Sequence, residues 1–474
     1  MSAPVDGGFA TLADATRPVR LVLVGAGGMG RAWLRTILAN PDTELVGVVD
    51  LDTALAESAV TEAGLRVGPE GVVVGTSVSV VAEATGADAV VNVTVPAAHH
   101  PVNTEALFAG LPVLCEKPIA PTVAQALSLA ATAEASGQLL MTSQSRRYYA
   151  SIAAFREQVA TLGRLGSATT EFFKAPHFGG FREEMAHVLL VDMAIHAFDA
   201  ARYVLGSDPI AVYCEEYNPG WSWFSADAAA TAVFEFAGGV RYTYSGSWCA
   251  DGVETSWNGS WRVNGEHGTA VWDGDSAPQR QLAPQGGSPS AVETAELEPD
   301  VPEEIAGSLV EFVDALRTGR VPSGEVHANV LSLAMVEAAV RSAESGERVV
   351  IADVLAQAHT RAIEAEPRAD VRAALVTSPG PVEEVAGHDQ VEHPPEAGVA
   401  RRLARPVRPP LDACDTDETD LVPHGVRLPE AVRLPDDRTL RQTERRGLAL
   451  RSQRRQGLRP GDLLADPVEH VELG

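Results

Sequence analysis

The sequence predicts an α/β fold in which a doubly wound parallel sheet is followed by a second α/β unit built on an open, mostly antiparallel sheet. Three observations carry this. Residues 19–24 (VRLVLV) form a short apolar run that ends in a glycine cluster and passes at once into a helical pattern. Strand and helix patterns alternate from there to residue 142, and beyond residue 205 β-rich, aromatic segments follow one another without helices between them. Alternation with near-continuous apolar strands implies a parallel sheet covered on both faces, whereas strands joined by turns imply antiparallel pairing.

Composition bounds the function. A chain of 474 residues with 45% hydrophobic content has room for two or three domains and a substantial core. No apolar run reaches transmembrane length, and the first residues have neither a basic n-region nor an apolar h-region, so a cytoplasmic protein without a membrane partner is expected. Four cysteines (Cys115, Cys214, Cys249, Cys414) are widely spaced and lack a CxxC pair, which argues for reduced thiols and against a metal site. A net charge of -27 disfavours nucleic acid as a partner.

Taken in order, a flexible leader (1–16) precedes the first strand. In the GAGGMG stretch that follows, Gly25 permits a tight turn, Gly27 lets the backbone approach a pyrophosphate and Gly30 allows close helix packing. Gly28 and Met29 fall at the start of a helix whose free N–H groups and dipole favour an anion, and Met29, Trp33 and Ile37 recur at spacing four until Asn40 and Pro41. Residues 44–49 (ELVGVV) predict the next strand, which ends at Asp50. A carboxylate there accepts hydrogen bonds from adenosine ribose hydroxyls and repels a 2′-phosphate, so NAD is expected in preference to NADP. The plainer alternative is that Asp50 caps a helix beginning near Thr53.

Further strands are predicted at 71–74, 87–95, 112–115 and 138–142, and helices at 54–63, 80–84, 101–109 and 123–136. Together they make a dinucleotide-binding Rossmann domain over 17–142. Ligands of such sheets bind beyond the carboxyl ends of the strands. Two of those ends carry candidate residues: the NVTVPAAHH stretch with Thr94, Pro96 and His100, and Glu116, Lys117 and Pro118. The proline restricts Lys117 to non-helical geometry and is a candidate for a cis bond. Lysine occurs only at Lys117 and Lys174, every other basic side chain being arginine. A lysine kept where arginine is the default suggests a task for a compact ammonium.

A second, substrate-binding and oligomerisation domain is predicted over 143–366. Its elements are a helix at 152–162, a strand at 167–173, a long helix at 185–205, strands at 210–214, 229–236, 240–248, 256–263 and 269–272, a surface loop over 275–302, and helices at 304–318 and 327–345. A helix at 352–365 is expected to trail off the body. Residues 367–474, rich in Pro and Arg clusters and poor in aromatics, are expected to form a disordered tail, with a binding arm as the alternative.

On the long predicted helix, Asp192 and His196 stand four apart and so share a face. Oxidation of an alcohol by a nicotinamide requires a proton acceptor, and a neutral His oriented by a carboxylate suits that task. A structural His–acid pair is the plainer reading of an isolated DxxxH.

The glycine fingerprint, Thr94 to Pro96 with His100, the EKP at Glu116 to Pro118, the Arg146-Arg147-Tyr148 segment and the Asp192/His196 pair together resemble the Gfo/Idh/MocA oxidoreductases, over about residues 17–351. The resemblance implies a Rossmann domain with an open-sheet partner domain, NAD or NADP as cofactor, sugar or inositol-like polyol substrates, and a homodimer or homotetramer built through the sheets. It places the catalytic residues at Lys117, Asp192 and His196. Arg147 and Lys174 are candidate substrate contacts, with a salt bridge as the alternative for Lys174. Ala150 and Ala194 depart from the frequent Pro and Gly of the family, and the tail has no counterpart. The expected activity is hydride transfer between NAD(P) and a secondary hydroxyl; the alternatives are an NAD-dependent glycosidase with transient oxidation and a non-catalytic dinucleotide-binding protein.

Overall fold

The computed structural model describes residues 8–284 and 290–377 of the chain. Its first sheet contains β1 (Val19–Val24), β2 (Thr43–Val49), β3 (Val73–Gly75), β4 (Ala89–Asn92), β5 (Val113–Glu116) and β6 (Leu140–Ser143) in the order β3-β2-β1-β4-β5-β6. All pairings are parallel. Parallel neighbours need crossovers, and the helices α1 (Gly28–Ala39), α2 (Thr53–Glu62), α3 (Val78–Thr85), α4 (Pro96–Phe108) and α5 (Val123–Ser136) lie in the segments between these strands. Alternate residues of β1 serve opposite layers. Leu21 and Leu23 join Trp33 and Ile37 of α1, while Val22 and Val24 join Leu107 and Leu127 of α4 and α5. Helix α4 begins at Pro96, five residues before the predicted start, because Pro96 occupies its first turn and Pro101 is accommodated inside it.

The second half comprises α6 (Ala150–Ala160), β7 (Leu165–Phe173), α7 (Phe181–Glu184), a π-helical segment (Leu189–Ala194), α8 (Ile195–Leu205), β8 (Pro209–Tyr217), β9 (Ala229–Phe236), β10 (Arg241–Ser247), β11 (Ser260–Gly265) and β12 (Gly268–Trp272). Then come β13 (Gln279–Leu282), β14 (Glu293–Thr294), α9 (Glu304–Thr318), α10 (Val326–Ser345), β15 (Val349–Val350), α11 (Ile351–Ala365) and α12 (Ala369–Thr377). Nine strands form one sheet in the order β14-β13-β12-β11-β7-β10-β9-β8-β15. It is antiparallel except where β10 pairs with β7. Its inner face packs on α8, where Phe198 meets Phe234 and Tyr244 edge-on at 4.8 and 5.4 Å. The opposite face leaves Tyr213 and Val233 exposed.

Five expectations are corrected. The predicted helix over 185–205 starts only at Leu189, and its first segment is a π-helix with wider i→i+5 closure. Part of the predicted surface loop over 275–302 adds β13 and β14 at the sheet edge, a polar pair that period-two hydrophobicity cannot reveal. Helix α11 does not trail away: Val354, Leu355 and Ala358 are buried, and α12 follows with Val371 and Leu375 buried as well. The tail expected from Pro367 therefore has an ordered beginning, tied down where Ser128 Oγ donates to Glu366 at 2.6 Å; residues 378–474 lie outside the described ones. Finally α9, assigned by sequence order to the second domain, packs its Leu309, Phe312 and Leu316 into the core of the first sheet with Leu21 and Trp33. Among the described residues no helix is long and apolar enough to cross a membrane.

Between the sheets, Arg147 donates through Nε and Nη2 to the two Asp199 oxygens, each at 2.7 Å, and through Nη1 to the Ser323 carbonyl at 2.6 Å. Ser332 Oγ donates to the same carboxylate at 2.7 Å. The side chains of Arg147 and Asp199 are 8% and 1% exposed, so removing one partner strands a buried charge. We expect Asp199→Ala to reduce unfolding free energy by about 3–5 kcal/mol, measured as a lower urea midpoint with an unchanged slope.

Candidate active site

The glycine turn after β1 is shaped by contact. Gly25 has φ 99°, and a Cβ there would lie 2.8 Å from the Val93 carbonyl oxygen beyond β4. A Cβ on Gly30 would fall 2.1 Å from the Gly25 oxygen, so α1 can start this close behind the turn only with glycine. Around Gly27 and Gly28 there is open space. The N-terminus of α1 has no side-chain cap and no acidic residue in its first turn, which leaves its N–H groups and dipole unspent; Met29, in that turn, is exposed. Asp50 accepts from Ala26 N at 2.8 Å and from Asp52 N at 2.9 Å. Helix α2 is capped by Asp52, not by Asp50, which stands instead against the glycine turn.

Beyond β4, Asn92 Oδ1 accepts from the Thr94 hydroxyl at 2.8 Å, and Pro96 opens α4. His100 turns away from this end of the sheet: its Nε2 lies 3.0 Å from Ser128 Oγ on α5. It is thus removed from the cofactor cleft expected for it. Its neighbour His99 is fully buried, with Nδ1 at 2.7 Å from the Pro118 carbonyl and Nε2 at 2.9 Å from the Thr94 carbonyl, joining the ends of two strands.

The opening of the site is the end of β5. Glu116 accepts from Trp33 Nε1 at 2.8 Å and from Lys117 N at 3.1 Å, so α1 and the strand end are fixed to each other; burial raises the carboxyl's pKa. The Lys117–Pro118 bond is cis. Lys117 Nζ donates to the Asp192 carbonyl at 2.9 Å and to its Oδ1 at 3.3 Å, and Arg182 Nε donates to Oδ2 at 2.7 Å. Burial pushes the Asp192 carboxyl up, but the Lys117 ammonium and the Arg182 guanidinium more than offset it, and the pKa lies below the ordinary 3.8. The guanidinium of Arg182 is itself set over the rings of Phe178 and Phe181 at 5.1 and 5.2 Å.

His196 comes to the same place but is not held by Asp192. Both Asp192 oxygens are engaged by cations, and His196 Nδ1 is enclosed without a partner. The four-residue spacing misleads because Asp192 lies in the π-helical segment, where turns are wider. Burial, then the charges of Lys117 and Arg146, hold the imidazole pKa well below 6.5. Arg147, a candidate substrate contact, is instead committed to Asp199 and Ser323. Lys174 donates to Glu254 at 2.9 Å, with its ammonium 5.1 Å from the Trp257 ring centre. Arg182, on a short helix without a motif, is the member of the cluster that sequence reading missed.

Residues 19–144 match the family described as an oxidoreductase family with an NAD-binding Rossmann fold, and residues 156–271 match the GFO/IDH/MocA C-terminal domain. The chain belongs to the Gfo/Idh/MocA oxidoreductases. It is 28% identical over 344 residues to inositol 2-dehydrogenase 4 of Saccharopolyspora erythraea, covering 71% of this chain and 96% of that one. It is 26% identical over 344 residues to 1,5-anhydro-D-fructose reductase of Ensifer adhaerens, covering 69% and 97%. In fold it is similar to an oxidoreductase from Agrobacterium radiobacter solved with NAD+, L-tartaric acid and magnesium, with TM-score 0.63 and 19% identity over 71% of this chain and 99% of that chain.

The Gfo/Idh/MocA fold binds a dinucleotide, and the residues present fit one. The open space at Gly27 and Gly28 faces an uncapped helix end, and a Cβ at either position would project into it. Gly27→Ala has an allowed backbone angle, φ -67°, and meets no neighbour. We expect this variant to fold with unaltered thermal stability and to bind NAD about tenfold more weakly or worse, measured by calorimetric titration.

Proposed function

We propose that the chain transfers a hydride reversibly between NAD and a secondary hydroxyl of a sugar or inositol-like polyol. One observation carries the reading: a lysine ammonium at a Rossmann strand end is pinned beside a histidine whose surroundings keep it uncharged at neutral pH. The dinucleotide, when bound, supplies the hydride acceptor. The N–H groups of Gly27, Gly28, Met29 and Gly30 would hold its pyrophosphate, with Gly25 shaping the turn. Thr94, Pro96 and Glu116 frame the nicotinamide end, and the buried His99 ties the two strand ends together behind it. Asp50 would accept from the adenosine ribose hydroxyls, and its charge favours NAD over NADP.

Lys117 Nζ donates to the reacting oxygen and stabilises the alkoxide charge that develops as the hydroxyl proton leaves. His196 accepts that proton at Nε2, since Nδ1 faces the interior. Asp192 serves the lysine, not the histidine: its carboxylate and carbonyl fix the direction of Nζ, and Arg182 fixes the carboxylate. The names of the inositol and anhydrofructose enzymes support a polyol or sugar substrate. The exposed outer face of the nine-stranded sheet supports a homodimer or homotetramer, and the buried free thiols Cys115, Cys214 and Cys249 support a reducing, cytoplasmic setting.

The reading is tested with a panel of inositols, aldoses and anhydro sugars offered with NAD and with NADP. Reduced cofactor should form with NAD and at least one polyol. Lys117→Ala should lower kcat by roughly 10²–10³-fold or more while leaving NAD affinity within about twofold; undiminished turnover would refute the role of Lys117. Because the His196 pKa is lowered, the imidazole stays a proton acceptor below pH 6.5. The acid limb of kcat for alcohol oxidation is therefore expected under pH 6.5 and should respond to His196→Gln.

A further inference from the structure

Large aromatic side chains gather on the segments that follow β7 and β8. Phe178, Phe181 and Trp221 are 43%, 68% and 73% exposed. Contacts join them into one band. The guanidinium carbon of Arg182 lies 5.1 Å from the centre of the Phe178 ring and 5.2 Å from that of Phe181. Phe178 meets the buried Trp248 edge-on at 5.2 Å, and Trp221 Nε1 donates to the carbonyl of the next residue, Cys249, at 3.0 Å. Phe178 and Trp221 thus rest on the same two residues. Single exposed apolar side chains need no explanation, but a joined group of them marks a ligand groove or an interface.

The place of this band follows from contacts in series. Phe178 and Phe181 touch Arg182, Arg182 Nε donates to Asp192 at 2.7 Å, and the other oxygen of Asp192 accepts from Lys117 Nζ at 3.3 Å. Exposure rises along the series, from about one-fifth at the lysine and aspartate to 39% at the arginine and 68% at Phe181, so it runs outward from the reacting centre. A sugar ring with a hydroxyl at Nζ takes the inner end and leaves the outer end to whatever is joined to it. The outer end has mixed chemistry. Arg182 Nη1 and Nη2 have no hydrogen-bond partner among the described residues, and they stand beside aromatic rings. An apolar partner would strand those N–H groups. An anion would meet the negative faces of the rings, and the arginine's charge is already paired with Asp192. A neutral ring with C–H faces and hydroxyl edges suits both, its hydroxyls accepting from the guanidinium and its C–H groups lying on the aromatic faces.

We propose that Phe178, Phe181, Trp221 and Arg182 form an outer subsite for a second sugar ring, and that the substrate is a disaccharide whose inner ring is oxidised at Lys117. The inference rests on the dehydrogenase reading for the inner ring and deepens it by naming the substrate class. Arg182 serves both rings: Nε holds Asp192 in place for the lysine, and Nη1 and Nη2 donate to hydroxyls of the outer ring. No bond changes at the outer ring, so its contacts act in the ground and transition states alike and are read in KM.

The test is a calorimetric titration of the full chain, saturated with NADH so that no sugar can be oxidised, with cellobiose, maltose, lactose and trehalose. Methyl glycosides of glucose and galactose serve as one-ring controls. At least one disaccharide should bind about tenfold more tightly than every control. Trp221→Ala and Phe181→Ala should each cut that ratio about fivefold or more, whereas Trp221→Phe, which keeps a ring there, should retain most of it. Both side chains are exposed, so the variants should fold, and Trp221 has no contact with Arg182, so its variants decide the matter if Phe181→Ala disturbs the arginine. With NAD, the same disaccharide should show its advantage in KM. Disaccharides that bind no more tightly than the controls overturn the proposal. A ratio unchanged in both alanine variants does so too, and a lower sedimentation mass of those variants then assigns the band to a second copy of this chain. Reduced cofactor formed from one-ring sugars without any preference for a disaccharide sinks the subsite and leaves the reaction standing. Tight disaccharide binding that depends on Trp221, with no reduced cofactor from any sugar, sinks the reaction and leaves the subsite.

Discussion

The contact on which the rest of the site depends is that of Lys117 Nζ with the backbone and side chain of Asp192. The lysine ends a strand of the parallel sheet, and the aspartate belongs to the helix under the antiparallel one. Their side chains are only about one-fifth exposed, so each charge needs the other. The surroundings serve this contact from both sides. Trp33 and Glu116 fix the strand end from below, and Arg182, braced by two phenylalanines, fixes the carboxylate from above. A compact ammonium can meet a carbonyl and a carboxylate together and still have a hydrogen left, which a planar guanidinium does less well.

The electrostatics of the site invert those of the molecule. A chain of net charge -27 gathers Lys117, Arg146 and Arg182 around one imidazole and one carboxylate. Both effects favour the deprotonated form. The carboxylate is held ionised and the imidazole is held neutral, so one cationic cluster produces both an anchor and a proton acceptor without any group having to change state at rest.

What sequence could reveal follows from range. The glycine turn, the strand-end EKP and the six parallel strands rest on local patterns, and the structure keeps them: Gly25, Gly30 and Lys117 sit where the local chemistry demands. Where the reading slipped, the cause was geometry that residue spacing does not carry. A π-helical segment spoils the inference that Asp192 orients His196, although both residues arrive at the site. One residue of helical phase separates His99, which bridges the strand ends, from His100, which faces α5. Arg147 is equally instructive, since a basic residue beside a cleft looks like a ligand group until its buried carboxylate appears 52 positions away. The polar strands β13 and β14 and the packing of α12 depend on neighbours distant in sequence, which no local pattern records.

The return of α9 to the first sheet bears on how the protein is made. The face formed by Leu21, Leu23 and Trp33 is completed by Leu309, Phe312 and Leu316, which the ribosome supplies only after the entire central part of the second sheet. At about 5–20 residues per second, that apolar face waits on the order of ten seconds or more for its cover. Until α9 emerges, one face of the first sheet lacks the apolar side chains that cover it in the finished structure.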